Sequence, residues 1–319
     1  MNSPSSCSGS RVIFFLAPFL ALSSIHAQSG ISPANFRTNA QLVLVPVTVT
    51  DHNGKTIPGL RADNFRILDD QTPQQIVSFS GEDAPCSMGL ILDISGSMRD
   101  TLSVAKEVGQ SVFRTANSDD EFLLLTVSTQ PEAISGFTTD VASLEKSIQF
   151  TKSGGFTALI DTVRLGLSRM RDGKRPRRAL LILSDGMDNH SRYSKGELMR
   201  VALEADVQIY TIILDNPSTG NTVPFRPSLI AKPWDHAEER QGRSLLEDLS
   251  DKTGGLHFHV KDAAEAKEAA NKAGRALRNE YVIGYQPPDP TGSGKWHRIR
   301  VKADVPSTSV YARNGYYSR

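Results

Sequence analysis

Cysteine is nearly absent from this 319-residue chain, which has two, Cys7 and Cys86. Cys7 falls in a segment that reads as removed on export, so Cys86 would be alone and no internal disulfide is expected. Cys7 does not directly precede the cleavage site either, so a lipid-anchored cysteine is not supported. The fold must then rest on packing, with or without help from a bound ion. An excess of either charge is also missing. Lys plus Arg number 36 and Asp plus Glu 35, a formal net of +1, which argues against nucleic acid as the main partner. The locally basic run "RDGKRPRR" (171–178) lies between a helix and a strand and reads as a solvated loop. Long apolar runs are scarce. The one near the amino terminus, Val12 to Leu22, is shorter than the roughly 20 residues a bilayer crossing requires. With Arg11 before it and small residues ending at Ala27, it reads as a secretory signal over 1–27, cleaved near Ala27 and Gln28. A retained anchor is the alternative. No later segment is apolar enough to span, so a secreted or periplasmic protein of the cell envelope is expected.

What is present divides by periodicity. Residues 28–40 are polar and read as a flexible segment. The stretch 41–85 opens with alternating Val43, Val45, Val47 and Val49, the period-two pattern of a half-buried strand, followed by an Asn-Gly turn in "DHNG". "NFRILDDQTPQQIVSFS" predicts two further short strands around a Pro-containing turn. From Met88 the pattern changes. "GLILDIS", "EFLLLTVS", "RALLILS", "VQIYTIIL" and "GLHFHV" read as strands separated by helical stretches, ending in the Ala-rich "DAAEAKEAANKAGRALRNE". Such alternation predicts an α/β domain over 86–280, a doubly wound, mostly parallel sheet covered on both faces. Residues 281–319 return to β patterning and are expected to meet 41–85 in a small β-sandwich.

The stretch "LILDISGSMRD" (90–100) raises the functional question. A buried strand ends at Asp93, then delivers Ser95 and Ser97 with Gly96 between them. In doubly wound sheets ligands bind beyond the carboxyl ends of the strands, where strand order reverses. Thr157 in "GGFTALID" and Asp185 in "LLILSDGMDN" fall at equivalent positions. A carboxylate and hydroxyls gathered there are hard oxygen donors, suited to Mg²⁺, Mn²⁺ or Ca²⁺.

These residues resemble the metal-ion-dependent adhesion site (MIDAS) of the von Willebrand factor type A (VWA) family, an Asp-x-Ser-x-Ser motif plus a later Thr and a later Asp. The resemblance covers roughly 86–280, and the five residues occur in the family's order. It implies that Ser95 and Ser97 coordinate the ion directly, and that Thr157 does so directly or through water. Asp93 and Asp185 would act mainly through waters while orienting the serines. Carboxylates held one water away leave the ion strongly electrophilic, with a position for an outside acid. The flanks are similar to the ends of a group of secreted bacterial proteins with such a domain, a likeness that carries no defined activity. Two departures stand out. Phe156 occupies a position where the family commonly has a small residue, and with Met187 and His190 it is a candidate for the rim that touches a partner. The Pro-rich connection 216–241 is longer than a minimal domain needs and reads as a cover or extension of the binding face.

Plainer readings compete at several positions. Ser97 could simply cap the helix near Leu102. Helix-start and turn chemistry explains Asp161 and Asp188. His257 and His259 share a strand face without an obvious third ligand, and Trp234 and Trp296 read as packing residues. The function expected is an exported, Mg²⁺-dependent binding or adhesion protein that captures an acidic group of a protein or peptide partner. A metal-dependent hydrolase at the same pocket is the rival, although no Glu, His or His–Asp relay is tied to the site. A structural envelope-assembly module is the third reading.

Overall fold

The computed structural model describes residues 42–81, 83–114, 116–215, 235–288 and 292–318, with side chains left out for 235–239. The expected signal, the flexible segment, Trp234 and most of the 216–241 connection lie outside the described residues.

Four strands precede the α/β part: β1 (Val43–Thr50), β2 (Phe65–Asp69), β3 (Thr72–Gln74) and β4 (Ile76–Ser80). Val43, Val45, Val47 and Val49 are all buried, as their alternation implies. The 64–80 stretch departs from expectation. It forms three strands, and the turn is Asp70–Gln71, with φ of 46° and 70°. Two consecutive positive φ values give the tight hairpin its twist. Pro73 sits inside β3, an edge strand, where a missing N–H costs no ladder bond.

The central sheet uses β5 (Cys86–Asp93), β6 (Glu121–Val127), β7 (Glu132–Ala133), β8 (Arg177–Ser184), β9 (Gln208–Leu214) and β10 (His257–Val260), in the order β10-β9-β8-β5-β6-β7. All pairings are parallel except that of the short β7. Every residue of β5, β6 and β9 is buried, as expected for strands covered on both faces. Helices α1 (Leu102–Arg114), α2 (Val141–Phe150) and α6 (Ala263–Arg278) pack on one face. On the other lie α3 (Leu159–Arg169), α4 (Lys195–Glu204) and α5 (Asp235–Thr253). Ala266, Ala269, Ala270, Ala273 and Leu277 recur at helical spacing on the buried stripe of α6. The chain leaves β5 toward β6, then returns to place β8 on the other side of β5. Strand order therefore reverses at β5.

The last strands are β11 (Tyr281–Tyr285), β12 (Trp296–Ala303), β13 (Ser309–Ala312) and β14 (Gly315–Tyr317). They interleave with the first four in two sheets, β13-β1-β11-β4 and β14-β12-β2-β3. Val45, Val47, Phe65, Ile67, Ile283 and Ile299 share one core between those sheets. Arg177, at the start of β8, joins this part to the α/β part. Its side chain is 7% exposed and donates to the main-chain oxygens of Leu277 (2.5 Å), Arg278 (3.2 Å) and Glu280 (3.2 Å). It thereby satisfies carbonyls that the end of α6 leaves unpaired.

Candidate metal centre

Asp93 ends the central strand with 0% exposure, and its hydrogen bonds come from neutral groups. The Ser95 main-chain N–H donates to Oδ1 at 2.9 Å, and the Ser184 hydroxyl to Oδ2 at 2.5 Å. Because β5 and β8 are in-register parallel neighbours, Ser184 at the end of β8 is delivered beside Asp93. The Gly186 N–H donates to the Ser184 oxygen at 3.0 Å, fixing the hydroxyl's direction.

Ser95 is also 0% exposed and Ser97 half-buried, and their hydroxyl oxygens lie 3.0 Å apart. Ser97 does not cap α1 directly. A short 3-10 turn, Gly96–Arg99, intervenes and opens at Ser95. The loop carrying Thr157 is held to this turn by two main-chain bonds, Gly96 N to Gly155 O (3.0 Å) and Gly154 N to Ile94 O (2.8 Å). Gly155 has φ +82°, and an added Cβ there would come within 2.5 Å of the Thr129 hydroxyl. Only glycine suits that position. Thr157 is buried, with its main chain clasped by Asn189: the Thr157 N–H donates to Asn189 Oδ1 at 2.9 Å, and the Asn189 N–H returns to the Thr157 oxygen at 3.0 Å.

Asp185 is 1% exposed and accepts from the Met187 N–H at 3.0 Å. Burial, then the charge of Asp185, raises the Asp93 carboxyl to about 7, against the opposing hydrogen bonds from Ser184 and Ser95. Two mutually repelling buried carboxylates beside a hydroxyl pair form a donor set that fits a hard divalent cation. The loops after β5, α2 and β8 thus come together, and they carry Asp93, Ser95, Ser97, Thr157 and Asp185.

Asp188 and Asp161 serve the neighbouring main chain. Asp188 accepts from Leu159 N–H (2.9 Å) and the Ser191 hydroxyl (2.6 Å), and burial raises its carboxyl. Asp161 accepts from Arg192 and Tyr193 N–H at 3.0 and 3.2 Å. At the rim, the Phe156 ring is 60% exposed and stacks on His190 with centroids 5.1 Å apart. Three contributors carried no sequence signal strong enough to single them out: Ser184, Asn189 and Thr129, whose hydroxyl accepts from Phe156 N–H at 3.1 Å.

Two other titratable clusters are already engaged. His257 and His259 pair with Asp251 (3.0 Å) and Glu247 (2.8 Å) of α5. One ligand atom each of Asp69, Asp70 and His297 lies within 4.8 Å of the others, at the end of β2, in the turn that follows and on β12. There Tyr285 and Tyr316 both donate to Asp69 Oδ2 at 2.9 Å. His297 Nδ1 faces Asp70 at 3.0 Å while its Nε2 is buried without a partner.

A family model described as von Willebrand factor type A domain matches residues 88–187, which include Asp93, Ser95, Ser97, Thr157 and Asp185. The chain carries a VWA domain. An uncharacterized protein of Borreliella burgdorferi is 26% identical over 183 residues, 54% of this chain, and the chain spans about half (53%) of that relative. Among solved structures, the VWA protein of Catenulispora acidiphila is 13% identical, covering 89% of this chain and 65% of its own (TM-score 0.48). BatB of Bacteroides thetaiotaomicron is 16% identical over 59% of this chain and 96% of its own (TM-score 0.44). The vWF domain of the pilus tip protein Mfa5 from Porphyromonas gingivalis is 13% identical over 61% and 95% (TM-score 0.47).

Proposed function

We propose that the VWA domain is a binding module that holds a divalent cation, Mg²⁺ in the first instance, and captures a carboxylate of a protein or peptide partner. In this reading Ser95, Ser97 and Thr157 offer hydroxyl oxygens to the ion, while Asp93 and Asp185 supply charge and orient the hydroxyls. The ion, when bound, would attract an acid from outside. The chain's own part is to hold five oxygen-bearing side chains in place, at Asp93 and on the loops after β5, α2 and β8, and to keep bulk water from Asp93 and Ser95. One observation carries the reading. A carboxylate with no exposure, raised by burial and then by the neighbouring Asp185, is met by neutral donors, the Ser95 main-chain N–H and the Ser184 hydroxyl among them. Such an arrangement is costly without a cation.

Residues 86–280 would then be the binding domain, with 41–85 and 281–319 as its support. The exposed Phe156–His190 pair would line the approach with Met187. Export to the envelope rests on the amino-terminal signal, and among the described residues no helix is long and apolar enough to cross a membrane. VWA domains are typically interaction modules. The test is capture of partners from an envelope extract by the immobilised protein, with Mg²⁺ or EDTA, alongside Asp93→Ala. Specific capture should require both the metal and Asp93. Capture unaffected by either change would overturn the proposal.

A further inference from the structure

A second surface lies at the opposite end of the central sheet. A groove of about 560 Å³, within the range of ligand clefts, opens between α4, the end of α5 and strands β12 and β13. Its lining residues include four cationic ones, Lys252, Arg298, Arg300 and Arg313, beside the apolar Ile299, Val301 and Val310, and no acidic residue among those described. Arg313 is matched by Asp206 at 2.5 Å and Lys252 by Asp248 at 3.4 Å. Arg298 and Arg300 are exposed, and neither guanidinium has an acidic partner among the described residues. Asp70, the nearest carboxylate along the chain pairing, is committed to the main-chain N–H of Arg298 (2.9 Å) and to His297 (3.0 Å).

Geometry narrows what could fill the groove. Arg298 and Arg300 are two residues apart on β12, so they share a face with Cα atoms about 7 Å apart. An extended peptide repeats its own side chains at the same interval, so acids at alternate positions would meet both guanidiniums. Trp296, two residues earlier on that face, gives a flat apolar contact at one end, braced edge-on by Tyr317 at 4.9 Å. Helices α4 and α5 lead into the starts of β9 and β10, whereas Asp93 and Ser184 stand at strand ends. The two surfaces therefore lie toward opposite ends of the central strands.

We infer that this groove binds an acidic peptide segment in extended form, with carboxylates at alternate positions held by Arg298 and Arg300. The inference stands apart from the metal reading, since no metal is involved. The chain would then hold acidic partners at two poles by different chemistry.

The experiment is calorimetric titration of the full chain, in EDTA and low salt, with the blocked peptide Ala-Glu-Ala-Glu-Ala-Glu-Ala and with its Glu→Gln counterpart. The Glu peptide should bind saturably and the Gln peptide should not. Arg298→Gln/Arg300→Gln should weaken binding at least tenfold, and 0.5 M salt should weaken it similarly, while Asp93→Ala should leave it unchanged. Lys146→Gln, a loss of one positive charge on α2 outside the groove, should bind as the wild type. Should the double variant fail to fold, Arg300→Glu alone serves, with the same tenfold loss expected. Equal binding of the two peptides, undiminished binding by the arginine variants, or binding of polygalacturonate but not the Glu peptide would each overturn the inference.

Discussion

The Ser184 hydroxyl reaches across from one strand end to donate to Asp93 at 2.5 Å, a contact between residues 91 apart in sequence. Ser184 is itself held by the Gly186 N–H, so a residue proposed not to touch the ion aims one that acts on it. Residues of this kind tune metal sites from outside the ligand set. Ser184→Ala should therefore weaken Mg²⁺ binding about tenfold, or about 1–2 kcal/mol, while the fold persists. Isothermal titration beside a far-ultraviolet melt checks both; an unchanged affinity would count against the positioning role.

Gly155 offers a steric test. Gly155→Ala forces a Cβ to 2.5 Å from the Thr129 hydroxyl at a φ of +82°. A cost of about 1–3 kcal/mol in urea unfolding is expected. Since the Gly155 oxygen accepts from Gly96 N–H, the strain should pass to both the serine turn and Thr157, and Mg²⁺ affinity should fall as well. Thr129→Ala in the same chain should recover part of each loss.

Arg177 joins the two parts of the fold. Its guanidinium caps the end of α6, and its Nε lies 3.9 Å from the carboxylate of Glu280, which is 2% exposed. Arg177→Met leaves the main-chain oxygens of Leu277, Arg278 and Glu280 without their donor, so a loss of about 1–3 kcal/mol is expected at neutral pH. Above about pH 8, where Glu280 is charged, the loss should grow, and adding Glu280→Gln should remove that extra part. Denaturant titration of the two singles and the double gives the coupling.

Glu280 also sets a pH dependence. Burial raises its carboxyl from 4.5 to about 8, with Arg177 opposing. Between those values the folded chain holds a proton that the unfolded chain has released, so stability falls as pH rises through that window. This contribution is fully present below about 4.5 and lost above about 8. In melts from pH 5 to 9, Glu280→Gln should flatten the decline by a few kcal/mol at most. A wild-type decline that the variant leaves untouched would contradict this assignment.

Much of this arrangement was legible in the sequence, for a physical reason. Uninterrupted apolar runs such as "LILD" and "LLILS" mark strands covered on both faces, and the oxygen-bearing residues follow them directly. What was hidden lies in contacts between distant segments. Ser184 and Asn189 look like ordinary loop serine and asparagine until β8 is laid beside β5. The hairpin at 64–80 misled because proline suggests a turn, whereas the turn fell on Asp70 and Gln71 and the proline was admitted by an unpaired strand edge. Position on the sheet, which decides both cases, is not a local property of the chain.

Heat stability against Mg²⁺ puts the proposed site to its sharpest trial. Ligand that binds only the folded state stabilises it by RT ln(1 + [L]/Kd). After treatment with EDTA and its removal, the wild type at pH 8 should melt at a temperature that climbs and then saturates with added MgCl₂. Asp93→Asn should melt higher than the wild type without metal, its buried repulsion with Asp185 gone, and should ignore Mg²⁺ altogether. Equal Mg²⁺ responses from the two proteins, or a flat response from the wild type, would contradict a cation held at Asp93.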